Sequence, residues 1–456
     1  MKKHFIQVFN YWLALFLFTG ILSGQSNIID QYIAQALANN LSIKTHSFAK
    51  AQQSSRVEQA RKLWNPNVDL TTTYLLAQGG RTILFPVGDL FNPVYGTLNQ
   101  LTASESFPTN LENNEIQLTP NNFLDANLTI SKPLINSSIK HNILIQEALL
   151  PLNDIDQVLE ENELKFHVKQ AYFNYLRTLK GEELLAENIT LLEEVQAFNE
   201  KLIRYDKATP DVQSDVKFQI TNLRDQLNAV REQRNITRHL FNTLLNRDLN
   251  EDIEEDLALL DNIPLNNFDL PQITQQALQS RPEFQKITVG RQVNELNQNR
   301  IDAEKLPTLG LSGGIGLQTE EFSFDEGGPL YTAAVSLGWN IFDGGLRKKR
   351  IEELKIEQES LELQNQVLQQ QIALQVAQEY YNWRTKVANL QAQEAAIEAA
   401  QTSYNATFNR YRNDKAILIE VISAQNRLIN SRLNKLLAVI DIHIAVAALE
   451  KTIFQQ

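Results

Sequence analysis

The sequence predicts a mixed fold, long α-helices joined to short membrane-crossing β-strands, and three observations predict it. Glycine and proline are confined to a few stretches, four runs alternate apolar with small or polar residues, and the chain is written twice. Nine of its 17 glycines lie between Gly310 and Gly345 and four between Gly79 and Gly96, while only Gly181 and Gly290 interrupt residues 97–309. After Gly345 the remaining 111 residues contain neither glycine nor proline. Backbone breakers mark turns and strand regions, so their absence marks helix.

The chain of 456 residues opens with Lys2 and Lys3, an apolar run from Tyr11 to Leu22, and the small residues Ser23 and Gly24. This is the pattern of a cleaved signal peptide, residues 1–24, since the run is shorter than the roughly 20 residues of a spanning helix. There is no cysteine, so an exported chain of this kind holds by packing alone. The formal charge of −12 argues against nucleic acid or an anionic lipid surface as partner.

The repeat appears on self-comparison. Gln35-Ala36-Leu37 matches Gln276-Ala277-Leu278, and Leu63-Trp64-Asn65-Pro66 aligns with the segment ending at Pro307 at the same offset. Later in each half Ile135-Asn136 aligns with Phe342-Asp343, and Arg204-Tyr205 with Arg410-Tyr411. The expected organisation is a first repeat over 25–249, a linker over 250–270 and a second repeat over 271–456.

Each repeat holds two candidate strands. Val68, Leu70 and Tyr74 alternate with Asp69, Thr71 and Thr73, and Leu124, Ala126, Leu128 and Ile130 with Asp125, Asn127, Thr129 and Ser131. In the second copy Leu309, Leu311, Ile315 and Leu317 alternate with glycine and serine, and Tyr331 to Ile341 continues the pattern. A half-buried soluble sheet has the same period. The signal peptide and the aromatic strand ends Trp64, Tyr74, Tyr331 and Trp339 favour an outer-membrane barrel with interfacial aromatics. Four strands cannot close a barrel, and an open edge in lipid leaves backbone hydrogen bonds unmet, so the barrel must be shared between chains.

The helices follow from arithmetic. From Asp343 to Tyr411 the chain covers about 103 Å as helix, and from Asn136 to Tyr205 about 105 Å, with a kink expected at Pro151. The return of the first repeat comes in two pieces, 211–249 and 271–305, and that of the second is 417–455, completed by the N-terminal helix from Ile28 to Leu63. On the long second-repeat helix, Ile351, Leu354, Leu361, Leu368 and Ile372 form one apolar seam and Ile356, Leu363, Val367, Leu374 and Tyr381 another. Two seams require neighbours on two flanks, as in a hollow cylinder of helices. Between the first two strands, residues 77–122 make a connection too long for a minimal loop, with Phe85-Pro86, Phe91-Asn92-Pro93 and Phe107-Pro108 suggesting order.

With strand, Phe342-Asp343-Gly344-Gly345-Leu346-Arg347, long helix, Arg410-Tyr411 and Glu420-Val421-Ile422-Ser423-Ala424-Gln425 in place, the chain resembles the outer membrane efflux protein family, the TolC-like ducts. The first copy adds Arg204-Tyr205 and Asp211-Val212-Gln213. The resemblance implies a homotrimer with a 12-stranded barrel in the outer membrane of a Gram-negative bacterium, continued by a helical periplasmic tunnel, with 250–270 as its equatorial linker. It also implies a passive exit duct, with a periplasmic adaptor and an inner-membrane pump as partners. By the same resemblance Asp211 and Glu420 sit where carboxylates narrow the tunnel mouth, and Tyr411, Lys415, Asp206 and Asp414 belong to the contacts that hold it shut. Asp343, Gly344 and Gly345 form the strand-to-helix collar, where glycine allows the change of direction and Asp343 caps the helix. The family's glycine after the Arg-Tyr turn is missing here. A polypeptide cargo, or a soluble periplasmic coiled-coil adaptor, stays open as an alternative.

No enzyme chemistry is legible. The six histidines include no pair at metal-ligand spacing, and Gly313-Gly314-Ile315-Gly316 lies within a strand rather than opening a helix. No metal or cofactor is expected.

Overall fold

A computed structural model describes residues 28–118, 121–320 and 329–454; the expected signal segment lies outside them. The helices are α1 (Ile28–Asn39), α2 (Leu41–Lys62), α3 (Val87–Thr102), α4 (Ser137–Ala148), α5 (Leu150–Arg204), α6 (Asp211–Leu244), α7 (Leu270–Ser280), α8 (Glu283–Ala303), α9 (Leu346–Arg412) and α10 (Leu418–Ile453). The strands are β1 (Asn67–Leu76), β2 (Thr82–Phe85), β3 (Asn114–Gln117), β4 (Asn122–Ile135), β5 (Thr308–Glu320) and β6 (Leu330–Gly338). All four expected strands form, although β6 stops at Gly338, short of Ile341. By contacts the chain divides into two units, and each draws segments from both sequence halves.

One unit comprises residues up to Gln52, Leu150–Arg291 and the chain from Glu359. Its larger core gathers Tyr172, Leu176, Phe241, Ile372, Val376, Ile440, Ile442 and Leu449 from α5, α6, α9 and α10. Residues 250–270 pack into this core rather than merely linking: Ile253 and Leu260 are buried in it. Two tyrosines fasten the segment, since Glu254 N donates to Tyr32 Oη at 2.8 Å and Tyr172 Oη donates to Glu254 O at 3.0 Å. Burial of the Tyr172 phenol leaves it well above its ordinary pKa, so it stays a donor. A second core joins the ends of α5 and α6 to the ends of α9 and α10 through Leu192, Val195, Val216, Ile220, Tyr404, Tyr411, Val421, Ile422 and Leu428.

Three breaks correct the expected helices. The first descending helix is in two pieces, interrupted at Leu149, because Pro151 has no N–H for the carbonyl four residues back and disfavours helical geometry just before it. The return piece 271–305 is likewise split, at Arg281-Pro282, into α7 and α8. The N-terminal helix is split at Asn40, whose side chain accepts from Ser42 N at 2.8 Å and so caps α2. α6 ends at Leu244, ahead of 249, where Asn246 takes a left-handed conformation (φ 51°). By contrast α9 runs unbroken for 67 residues, about 100 Å of helix.

The other unit comprises Gln53–Leu149 and Gln292–Gln358 and holds every strand among the described residues. Four strands form one antiparallel sheet in the order β1-β4-β5-β6, while β2 and β3 pair separately. The connection between β1 and β4 is a folded insert of β2, α3 and β3 rather than a loose loop.

Candidate functional site

The pairing register gives the sheet two chemically distinct faces. Leu70, Leu128, Ile315 and Tyr331 stand side by side across all four strands, as Thr71 and Asn127 do beside Gly316 in the opposite phase. One face therefore carries Val68, Leu70, Tyr74, Leu128, Ile130, Ile315, Tyr331, Val335 and Leu337, and these side chains are exposed in the single chain. The other carries Asp69, Thr71, Thr73, Asp125, Asn127, Thr129, Ser131, Ser312, Thr332 and Ser336. A wall between lipid and water has the same two-residue alternation. Among the described residues β1 pairs only with β4 and β6 only with β5, so both edges are open.

The aromatics fall at the two ends of this wall. Trp64 precedes β1 and Trp339 follows β6 at one end, where Trp339 Nε1 donates to Lys305 O at 3.0 Å. Tyr74 and Tyr331 lie near the other end, on the apolar face. Tyr331 and Trp339 are eight positions apart, about 26 Å of extended chain, close to the roughly 25 Å apolar band of an outer-membrane barrel.

At the collar, Gly344 (φ 64°) and Gly345 (φ 89°) take conformations that other residues resist. Asp343 accepts from Gly345 N at 3.0 Å, Arg347 N at 3.0 Å and Arg347 Nε at 2.7 Å, and so caps α9. The Arg347 guanidinium first, then these backbone N–H groups, pull its carboxyl down to about 2. The basic run that follows is paired: Arg350 reaches Glu304 and Lys349 reaches Glu352.

The α5–α6 and α9–α10 turns close in the same way without glycine. Asp206 (φ 52°) and Asp414 (φ 56°) take the left-handed position. Lys207 N donates to Leu202 O and Lys415 N to Arg410 O, both at 2.8 Å, completing a Schellman turn at each helix end. Aspartate is among the few residues that tolerate this geometry. The two turns touch through Lys207 Nζ and Asp414 Oδ2 at 3.8 Å. Lys415 contributes its backbone; its side chain is exposed.

The Arg-Tyr pairs, aligned in sequence, are not equivalent in position. The left-handed residue comes directly after Tyr205 but three residues after Tyr411, so Tyr205 is 77% exposed and Tyr411 only 7%. Tyr411 Oη meets Asn199 Oδ1 at 2.5 Å and ties α9 to α5. Burial, and secondarily Asp414, push its phenol upward, keeping it the donor. Glu420, in the first turn of α10, accepts from Arg410 Nη2 at 3.3 Å. Asp211 opens α6, and a Thr209 side-chain hydrogen bond, then its own and the Val212 backbone N–H, hold its carboxylate below the usual range. The structure thus gathers Tyr411, Asp414 and Glu420 into contacts between elements, while Asp211 is held by its own turn. The sequence singled out Arg410 only as a motif residue, without its Glu420 partner, and gave no role to Asn199 or Lys207. Asn199 was findable, because it continues the Leu185, Leu192, Val195 seam at core spacing.

Residues 273–453 match the family model of the outer membrane efflux proteins. The whole fold has solved counterparts. CusC, crystallised in a study of folding and transmembrane channel formation, superposes with a TM-score of 0.69 at 15% identity over 94% of this chain and 92% of its own. The chain thus shares the fold of these channels, and over residues 273–453 it matches the efflux protein family in sequence. VceC of Vibrio cholerae (TM-score 0.67, 14% identity, 93% and 95% covered) has the same fold. So does the open state of the Neisseria gonorrhoeae MtrE channel (TM-score 0.66, 16% identity, 93% and 88% covered). No curated protein matches by sequence. The efflux protein family and these relatives are outer-membrane channels rather than enzymes.

Proposed function

We propose that this chain is the outer-membrane exit duct of a tripartite efflux machine, in which three copies pool their sheets into a 12-stranded barrel and their helices into a periplasmic tunnel. The observation that carries this is the two-faced four-stranded sheet with both edges open, which in lipid is tolerable only when closed on other copies. A second observation agrees with it. On α9 the seam of Ile356, Leu363, Val367, Leu374 and Tyr381 is more than half exposed at every position, while Ile372 and Val376 are buried in the chain's own core. Element boundaries that agree to within a few residues at the offset of 241 up to the first strand of each half, with breaks at Asn40 and Arg281, support two copies of one unit.

The duct has no energy source of its own, so an inner-membrane pump and a periplasmic adaptor supply and deliver the cargo. That cargo is small molecules, among them drugs, metals or toxic compounds. The α5–α6 and α9–α10 turns form the periplasmic mouth. Tyr411 with Asn199, Lys207 with Asp414 and Arg410 with Glu420 hold it closed, and three copies each of Asp211 and Glu420 favour cations over anions. Asp211 has the greater share, because Glu420 already faces Arg410. Single-channel recording in planar bilayers tests this: the wild type passes cations preferentially, and Asp211→Asn with Glu420→Gln reduces the preference. Anion preference in the wild type contradicts the charged mouth, and absence of channels contradicts the duct.

A further inference from the structure

The insert between β1 and β4 is built inside out. Its helix α3 turns its asparagines inward: Asn92 Nδ2 donates to Leu111 O at 2.9 Å while Asn92 Oδ1 accepts from Leu111 N at 2.8 Å. One heptad on, Asn99 holds Phe107 in the same two-bond manner, at 2.7 and 3.0 Å. Asn113 in turn bonds both the backbone and the side chain of Asp89. Gly88 lets the Leu111 carbonyl lie where a side chain would stand. Polar groups, together with Tyr95 between the rings of Phe91 and Phe107, fix the inner side to the returning segment, and the remaining apolar residues of the helix face out. Leu90, Val94 and Leu101 are 59%, 51% and 77% exposed, and Pro93 and Thr97 complete a stripe without any charge.

Such a face needs an apolar partner. A phosphate-bearing lipid surface is a poor fit, because residues 77–118 contain one cation, Arg81, against Asp89, Glu105, Glu112 and Glu115, and helices that lie on membranes carry lysine and arginine. A second copy fits. α3 grows from β1, an open-edge strand, at the sheet end opposite the one that α2 and α4 join, so a barrel of three chains carries three such helices on one rim. Its 16 residues are about 24 Å long, and twelve strands spaced ~4.8 Å and tilted ~40° enclose a circle about 24 Å across. Gly79 (φ 81°) and Gly80 (φ 128°) supply the bend between β1 and β2.

We propose that α3 is a closure element, whose stripe of Leu90, Val94 and Leu101 packs on the same stripe of neighbouring copies across the outer mouth. The proposal rests on the trimeric-barrel reading, and its test keeps the two apart. The chain has no cysteine, so Val94→Cys and Leu101→Cys each give the full-length protein a single thiol, with Thr109→Cys on the returning segment as control. Oxidation in intact cells is expected to give covalent dimers from positions 94 and 101 and few from 109. Replacing Leu90, Val94 and Leu101 together by serine is expected to raise single-channel conductance several-fold while trimers persist. Intact trimers with no cross-link at 94 or 101 and unchanged conductance overturn the proposal. So does quenching, by labelled outer-leaflet lipid, of a fluorophore attached to the thiol of the Val94→Cys variant. Monomers alone overturn the barrel reading, and this inference with it.

Discussion

Tyr411 and Asn199 meet because each occupies a core position in its helix yet carries a polar tip, and a buried polar atom must find a partner. Tyr411→Phe keeps the ring against Phe198, 5.9 Å away, and removes only the bond. It is expected to cost about 1 kcal/mol of the second core and to raise closed-state leak in bilayers, whereas an unchanged leak separates this bond from gating. His443 poses a different test. It stacks on Phe173 at 4.4 Å, and burial, opposed by a backbone hydrogen bond at Leu259, pushes its imidazole down to about 4. The folded chain thus disfavours the proton that the unfolded chain accepts near pH 6.5. Its contribution is complete above about pH 6.5 and fades as pH falls towards about 4, roughly 3 kcal/mol in all. Thermal unfolding of the wild type should weaken over that window, and His443→Phe should flatten the dependence.

At the scale of elements, what could be read in advance was whatever a local pattern enforces. Period-two alternation located four strands, the absence of breakers located α9, and Pro151 marked a real interruption. What escaped was decided by tertiary partners. Asn40 reads as an ordinary helical asparagine until it caps α2, and the 250–270 stretch reads as irregular until Tyr32 and Tyr172 receive its backbone. The insert's asparagines gave no hydrophobic period to follow, because polar side chains share its inner side with the Tyr95 ring. The exposed seam of α9 was legible, and it makes a prediction of its own. Leu363→Asp with Leu374→Asp should leave the helicity of the chain unchanged by circular dichroism and reduce the trimer on native gels, since both side chains are exposed in the single chain. Loss of helicity would show that the seam serves the chain's own fold. A Gln371→Pro change, inside the same helix, should instead lower helicity, at a cost of about 3 kcal/mol.

For the whole molecule, every statement about transport depends on backbone groups at the outer edges of β1 and β6 finding partners in lipid. Among the described residues, sheet, seam and insert each leave apolar surface or strand edges that the single chain does not cover, and the proposed threefold arrangement would cover all three. Native mass spectrometry of the protein extracted from membranes in mild detergent measures this most directly. Three chains per particle, resistant to dilution, is the result this account predicts; a particle of one chain that still conducts would contradict it.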